Sequence, residues 1–209
     1  MALPAQQQPA WAAALGPYLR EIVRVPLATH IHTRLSDPIP DVAGGIVRWP
    51  QWTGPAFVDD LGRKGAALVA LDGEHLFAEL AVLRLLERQG WEGRWVITTG
   101  ARHGEISKLL TRWLDVPRAE QKHVPIEEAR PRQLLAAIAH ANKPARYAGC
   151  WGVFAWRGDE FLFLECRRVS GSKIDPVKAR QVEWMRMALA AQPGVFRPDS
   201  FAVLQWDYE

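Results

Sequence analysis

Two oppositely charged residues, Glu165 and Arg167, stand two positions apart in the mostly apolar run EFLFLECRR. If this run forms a strand, both side chains project from the same face, because alternate residues of a strand share a face. A buried charge is unfavourable unless it is paired, bound to a metal or close to water. A carboxylate can bind a divalent cation, and a guanidinium can bind a phosphate. The pair is therefore the first candidate for a functional site.

A second carboxylate, Glu79, lies in the segment GEHLFAELAVLRLLERQGW, whose leucines recur at helical spacing. Glu79 lies on the apolar stripe of this predicted helix, on the same side as Leu76, Leu83 and Leu86. The helix is predicted to end at Gly90. Two interpretations stay open for Glu79. It is either a functional carboxylate or one half of a structural ion pair with Arg167 or a lysine.

The segments GCWGVFAW and EFLFLECR, joined by a short turn, predict an antiparallel hairpin. Pairing of Trp156 with Phe161 places Gly152 opposite Glu165. One face then carries, besides Gly152 and Glu165, the residues Cys150, Phe154, Trp156, Phe161, Phe163 and Arg167. The other face carries Trp151, Val153, Ala155, Leu162, Leu164 and Cys166. Because both faces are apolar, we expect the hairpin to lie centrally, covered on both sides.

The remaining pattern predicts further elements around this hairpin. They are a strand at RWVITTG, helices at about residues 104–114 and 132–142, a helix from about Asp175 through QVEWMRMALAA, and a last strand at FAVLQW. Residues 1–73 hold eight of the fifteen prolines and no long periodic segment, so we interpret them as a Pro- and Trp-rich extension of short elements and loops. Residues 74–209 form the main domain. We expect a mixed, mostly four-stranded sheet flanked by helices.

The composition is that of a soluble protein of 209 residues with a net charge of +3, which permits binding to a phosphate backbone without requiring it. Pro and Arg interrupt every hydrophobic run before it reaches membrane-spanning length, so we expect a cytoplasmic protein without membrane association. Cys150 and Cys166 are expected to be buried, reduced thiols. His30 and His32 would share one side of a strand, but a structural role is favoured over metal binding because no third ligand is nearby.

In order and spacing these elements resemble the PD-(D/E)XK nuclease superfamily, and most closely its VRR-NUC-like proteins. The resemblance rests on a helix with Glu79, a hairpin whose second strand carries Glu165, and a following helix with Gln181 and Trp184. It spans residues 74–206 loosely and residues 149–189 well. It implies an α/β fold with a restriction-endonuclease-like core, a central mixed β-sheet flanked by helices and preceded by an irregular N-terminal region.

The resemblance also implies chemistry, namely metal-dependent hydrolysis of DNA. In such enzymes carboxylates hold Mg²⁺ or Mn²⁺, which binds a phosphate oxygen and lowers the pKa of the attacking water. Carried over by position, Glu165 and Glu79 correspond to the metal ligands. Gln181 and Trp184 correspond to the Gln and Trp that the family carries on the helix after the hairpin. Two positions depart from the pattern. Gly152 stands where an aspartate is expected, and Arg167 stands where a lysine is expected.

These departures leave two alternatives open. In an active enzyme, Lys173 or Lys178 would supply the positive charge that Arg167 cannot, since a guanidinium stays protonated and prefers a bidentate carboxylate. In an inactive protein, Arg167 closes an ion pair with Glu165 or Glu79 and fills the place of the metal.

An inactive core could still bind DNA or another nucleic acid through the basic residues near the site, Arg167, Arg168, Lys173, Lys178 and Arg180. The alternative is a structural or assembly subunit. Its N-terminal region would then contact a second copy of the chain or another protein.

Overall fold

The computed structural model describes residues 8–27, 41–58, 67–99, 104–170, 173–174 and 177–209. Four α-helices are described, α1 (Ala10–Leu15), α2 (Ala78–Glu87), α3 (Ala129–Ala141) and α4 (Ala179–Ala191). The first five strands are β1 (Leu19–Val25), β2 (Val42–Trp49), β3 (Val69–Leu71), β4 (Glu74–Leu76) and β5 (Glu92–Ile97). The other five are β6 (Lys108–Leu110), β7 (Val153–Arg157), β8 (Glu160–Ser170), β9 (Lys173–Ile174) and β10 (Phe201–Tyr208).

Seven strands form one mixed central sheet in the order β1-β2-β10-β8-β7-β5-β6. Strands β2, β10 and β8 run parallel to one another, whereas β8, β7, β5 and β6 alternate in direction. β9 pairs only with the end of β8, and β3 pairs with β4 in a separate two-stranded sheet. The fold is therefore α/β with a mixed central sheet, as the sequence predicted.

Each face of the sheet has its own hydrophobic core. Helices α1 and α2 cover one face, which we call the α2 face, with Trp11, Leu80, Leu83, Leu162 and Leu164 in its core. Helices α3 and α4 cover the other, which we call the α4 face, with Ile138, Phe154, Phe163, Trp184 and Phe201. Because both faces are covered, the central strands are apolar on both sides.

The predicted hairpin is confirmed in its pairing. Trp156 lies opposite Phe161 and Val153 opposite Leu164. Trp151 was placed wrongly, because it packs on the α4 face with its ring centroid 5.2 Å from that of Phe201. Strand β7 begins only at Val153, so the alternation of faces does not extend back to residue 151.

The helix predicted at residues 104–114 is wrong. The segment contains strand β6, which pairs with β5, so that Ile97 lies opposite Lys108. Leu109 packs on the α4 face and Leu110 on the α2 face, which is the period of two that a strand requires. The helix that carries Glu79 also begins later than predicted, at Ala78, because residues 74–76 pair with β3.

The four predicted strands β5, β7, β8 and β10 are neighbours in the sheet, but three further strands extend it. Two of them, β1 and β2, come from the N-terminal third, predicted to hold short elements and loops. β2 pairs with β10 along seven residue positions, from Ala43 to Trp49. None of the described helices is long and apolar enough to cross a membrane.

Candidate functional site

Glu165 lies on β8 with its carboxylate engaged on both oxygens. Oε2 accepts a hydrogen bond of 2.9 Å from the backbone N–H of Gly152, and Oε1 lies 3.2 Å from Nη2 of Arg167. The two charged side chains are only 14% and 9% exposed, respectively. Water therefore screens this ion pair weakly. The carboxylate of Glu165 and the guanidinium of Arg167 therefore form a largely buried ion pair.

Arg167 also binds helix α4. Its Nη2 donates a hydrogen bond to the side-chain oxygen of Gln181, and the same oxygen accepts a bond of 3.1 Å from the backbone N–H of Lys178. Gln181 is buried. It therefore closes the first turn of α4 and joins that helix to β8 through Arg167. Nε of Arg167 is buried and has no hydrogen-bond partner among the described residues.

Glu79 approaches the same place from the opposite face of the sheet, and Gly152 is where the two sides meet. A β-carbon built on Gly152 would lie 3.4 Å from Oε2 of Glu165 and 3.8 Å from Cγ of Glu79. Glycine leaves this space without a side chain. The structure thus brings Glu165, Arg167 and Gln181 into contact, while Cγ of Glu79 lies close to Gly152 from the other face.

The buried thiol of Cys166 is influenced by the carboxylates of both Glu79 and Glu165. Its pKa is raised well above the usual value, first by burial and then by the carboxylates of Glu79 and Glu165, while Arg167 acts in the opposite sense. Burial, followed by the charge of Glu165, likewise raises the pKa of Cys150. Both cysteines are free and buried, which favours the thiol over the thiolate.

The other predicted site residues do not join this cluster. The backbone of Lys173 lies in β9, but its side chain is outside the described part. Lys178 precedes α4 and bonds Gln181 through its backbone, since its N–H donates to the Gln181 side chain and its carbonyl oxygen accepts from the Gln181 N–H. Trp184 is fully buried and packs edge-on against Phe163, so it stabilises the core instead of lining the site. His30 and His32 lie outside the described residues.

Of the basic residues predicted to surround the site, Lys178 and Arg180 are exposed near it, whereas Arg168 lies on the other face of the sheet. Lys178 and Arg180 at the start of α4 form no ion pair with a described acidic residue. Arg168 follows Arg167 on β8 and therefore faces the α2 side. There it stacks on two aromatic rings of β10. The sequence analysis grouped Arg168 with the site and missed this stacking. Consecutive residues of a strand point to opposite faces, so the position of Arg167 already indicated that Arg168 faces away from the site.

The donor set does not suit a divalent cation in this arrangement. Mg²⁺ and Mn²⁺ require several oxygen ligands, and both oxygens of Glu165 are already engaged, one of them by a positive charge. Within the described ranges, no three His, Cys, Asp or Glu side chains gather closely enough to hold a metal. Arg167 instead supplies the charge that balances Glu165.

Comparisons with known proteins provide no identity. No family model matches the chain, and neither the curated proteins nor the solved structures contain a match.

Proposed function

We propose that this chain is a nuclease-like protein that binds nucleic acid without cleaving it. The observation that carries the proposal is the position of the Arg167 guanidinium, between the carboxylate of Glu165 and the side-chain oxygen of Gln181. A fixed positive charge at this place repels a second cation and occupies the carboxylate that would bind it. Activation of a water by a metal is then prevented at its first step.

The nuclease-like part of the proposal is supported by the order of the elements. Helix α2, strands β5, β7 and β8, helix α4 and strand β10 follow one another as the resemblance implies, and their four strands are adjacent. Cγ of Glu79 on the helix and Oε2 of Glu165 on the third of these strands both lie close to Gly152. Shared architecture by itself does not determine activity, and therefore the state of the site decides between enzyme and binding protein.

The binding part is supported by the electrostatics at the start of α4. The net charge is +3, and the exposed Lys178 and Arg180 are not neutralised by described acidic residues. Many other exposed arginines are neutralised, such as Arg20 by Glu209 and Arg130 by Asp159. Unpaired basic side chains gain most from a phosphate, because they release its counterions without first breaking an ion pair.

The test combines a cleavage assay with a binding assay on the purified chain. We expect no cleavage of plasmid or linear DNA with Mg²⁺ or Mn²⁺, and a mobility shift that weakens strongly between about 50 mM and 200 mM salt. Metal-dependent cleavage that is abolished by Glu165→Ala would show an active enzyme. The absence of both cleavage and shift would support an assembly role and overturn the proposal.

A matched pair of double variants locates the binding surface. Lys178→Gln with Arg180→Gln and Lys122→Gln with Arg132→Gln remove the same charge, but from different places on the exposed surface. We expect the first pair to reduce the slope of log K against log salt by about 2, since each lost phosphate contact reduces it by about 1. The second pair should leave the slope unchanged. Equal effects would show that only net charge matters.

A further inference from the structure

A cleft of about 280 Å³ opens at the edge of the sheet, on the α2 side of Arg168. Its lining includes Gln51, Trp52, Gly54, Leu68, Arg168 and Tyr208. We propose that this cleft binds a single unpaired nucleotide of a nucleic-acid strand, with its phosphate on Arg168. The proposal rests on the proposed function and specifies which form of nucleic acid the chain prefers.

The position of the cleft suits a ligand site. Strands β2, β8 and β10 are parallel, so their carboxyl ends lie at the same edge of the sheet. Gln51 follows β2, Arg168 lies near the end of β8, and Tyr208 ends β10. Open α/β sheets bind ligands outside the carboxyl ends of parallel strands, because the side chains that follow several strands converge there.

Arg168 is held in an orientation suitable for a phosphate. Its guanidinium carbon lies 4.6 Å from the ring centroid of Tyr208 and 5.6 Å from that of Trp206. Stacking fixes the plane of the guanidinium and leaves its edge available for bidentate hydrogen bonds. Asp207 contacts only Nε, at 3.8 Å, and no described residue accepts a hydrogen bond from the two terminal nitrogens. The Arg168 side chain is 43% exposed.

Trp52 supplies a rigid aromatic wall. Its ring stacks on His75 at a centroid distance of 4.9 Å, and its indole N–H donates a hydrogen bond of 2.8 Å to the carbonyl oxygen of Pro55. A β-carbon at Gly54 would lie 2.5 Å from the indole ring, so only glycine allows the chain to pass this close. The hydroxyl of Tyr208, which also lines the cleft, donates a hydrogen bond to the carbonyl oxygen of Leu68. An ordered wall loses little entropy when a ligand binds.

The volume and the chemistry together favour one unpaired nucleotide. The cleft lies near the lower limit of the roughly 300–1,000 Å³ that is usual for small-molecule sites, so a duplex cannot enter it. In a duplex the faces of the bases are covered by neighbouring bases, whereas an unpaired base can contact aromatic side chains. A guanidinium beside aromatic walls therefore matches a phosphate joined to an exposed base.

The test compares two stacked arginines. Arg157 also lies over an aromatic ring, 4.7 Å from that of Trp91, and pairs with an acidic residue, Glu160, but it lies at the turn between β7 and β8. We expect Arg168→Gln to weaken binding of a labelled single-stranded oligonucleotide about tenfold in fluorescence anisotropy, and Arg157→Gln to change it less than twofold. The salt slope of the Arg168 variant should fall by about 0.7, the value for one phosphate contact on a single strand.

A second measurement locates the base without a substitution. An oligonucleotide that carries one 5-iodouracil is crosslinked to the unmodified chain by ultraviolet light, and the crosslinked peptide is sequenced. We expect the crosslink at Trp52 or Tyr208, the cleft aromatics. Crosslinks confined to other regions, or equal loss of affinity in the two arginine variants, would overturn the cleft as the site.

Failure of this inference can be told apart from failure of the proposed function. If the chain still shifts duplex DNA but does not prefer single strands, the cleft proposal is wrong and the binding function stands. If neither form of DNA binds, the proposed function itself fails. Competition by a free mononucleotide as strongly as by the oligonucleotide would identify a free nucleotide as the occupant and overturn the assignment to a nucleic-acid strand.

Discussion

Nη2 of Arg167 lies 3.2 Å from Oε1 of Glu165, and both side chains extend from the same face of β8 into a largely buried space. Each charge is therefore the main counterion of the other. Removal of one partner alone leaves an uncompensated charge in a region of low dielectric constant. The change in the free energy of unfolding when either residue is replaced therefore tests whether the two form a structural ion pair.

Arg167→Met should lower the free energy of unfolding by about 3 kcal/mol, since it leaves Glu165 buried without its counterion. The double variant Glu165→Gln with Arg167→Met should be less destabilised than the sum of the single variants, because it removes both charges. Urea denaturation of the four proteins of this cycle measures the coupling energy. Additive effects would contradict the ion pair.

Gly152→Asp combined with Arg167→Lys should create a metal site. The β-carbon of the new aspartate would lie 3.4 Å from Oε2 of Glu165 and 3.8 Å from Cγ of Glu79, so three acidic side chains would border one space. At a Mg²⁺ concentration about tenfold above Kd, binding stabilises the folded chain by about 1.4 kcal/mol. For a chain of this size the Tm rises by roughly 3–6 °C. Thermal melting with and without Mg²⁺ measures the rise.

The matched control is Gly152→Asn with Arg167→Lys, which has nearly the same shape without the added charge. It should melt at the same temperature with and without Mg²⁺. A similar rise in both variants, or in neither, would show that the space at Gly152 is not a vacated ligand position.

Gln181→Ala should lower the free energy of unfolding by about 2 kcal/mol. The substitution removes the acceptor for the N–H of Lys178 at the start of α4 and for Nη2 of Arg167. Gln181→Glu keeps an acceptor oxygen for both hydrogen bonds and adds a negative charge beside the guanidinium, so at neutral pH it should cost less than about 1 kcal/mol. Chemical denaturation distinguishes the two. Equal losses would contradict the role of the acceptor oxygen, because the glutamate variant keeps an acceptor and the alanine variant does not.

Trp11→Ala should lower the free energy of unfolding by about 3–5 kcal/mol, because the indole of this α1 residue is fully buried in the core of the α2 face. Val58→Ala, at a side chain that is 72% exposed, should change it by less than about 0.5 kcal/mol. Thermal and urea denaturation measure both. A small effect of Trp11→Ala would show that α1 is an appendage that does not stabilise the sheet.

His123 predicts a pH dependence of stability. Burial lowers its pKa, the charges of Lys108 and Arg94 lower it further, and its Nδ1 accepts a hydrogen bond of 3.0 Å from the backbone N–H of Leu109. Below about pH 6.5 the unfolded chain binds a proton at this residue before the folded chain does. The contribution of neutral His123 to the free energy of unfolding is therefore complete above that pH, and it is lost as the pH falls through the lowered folded-state pKa.

The measurement is the free energy of unfolding between about pH 5 and pH 8, in the unmodified chain and in His123→Asn. Asparagine places an acceptor close to the position of Nδ1 but does not titrate, so the variant should show a shallower decline below about pH 6.5. An unchanged decline in the variant would assign the pH dependence to other groups.

The local geometry of the hairpin followed from the sequence alone. Alternation of period two on both strands and a short turn leave few registers, and Trp156 does lie opposite Phe161. The same alternation correctly placed Glu165 and Arg167 on one face. Prediction failed where the periodic signal is short. Three residues at 108–110 are too few to distinguish a strand from a helix.

Tertiary structure alone decided which partners these residues have. The order of elements along the chain does not predict that β2 pairs with β10, or that the Gln181 side chain on α4 accepts a hydrogen bond from Arg167. Such contacts join segments that are distant in sequence, and local propensity carries no information about them. Gly152 shows the difference most clearly. In the sequence Gly152 only departs from the pattern that the resemblance implies, whereas its place in the fold, between Glu79 and Glu165, depends on how a helix and two strands pack across a sheet.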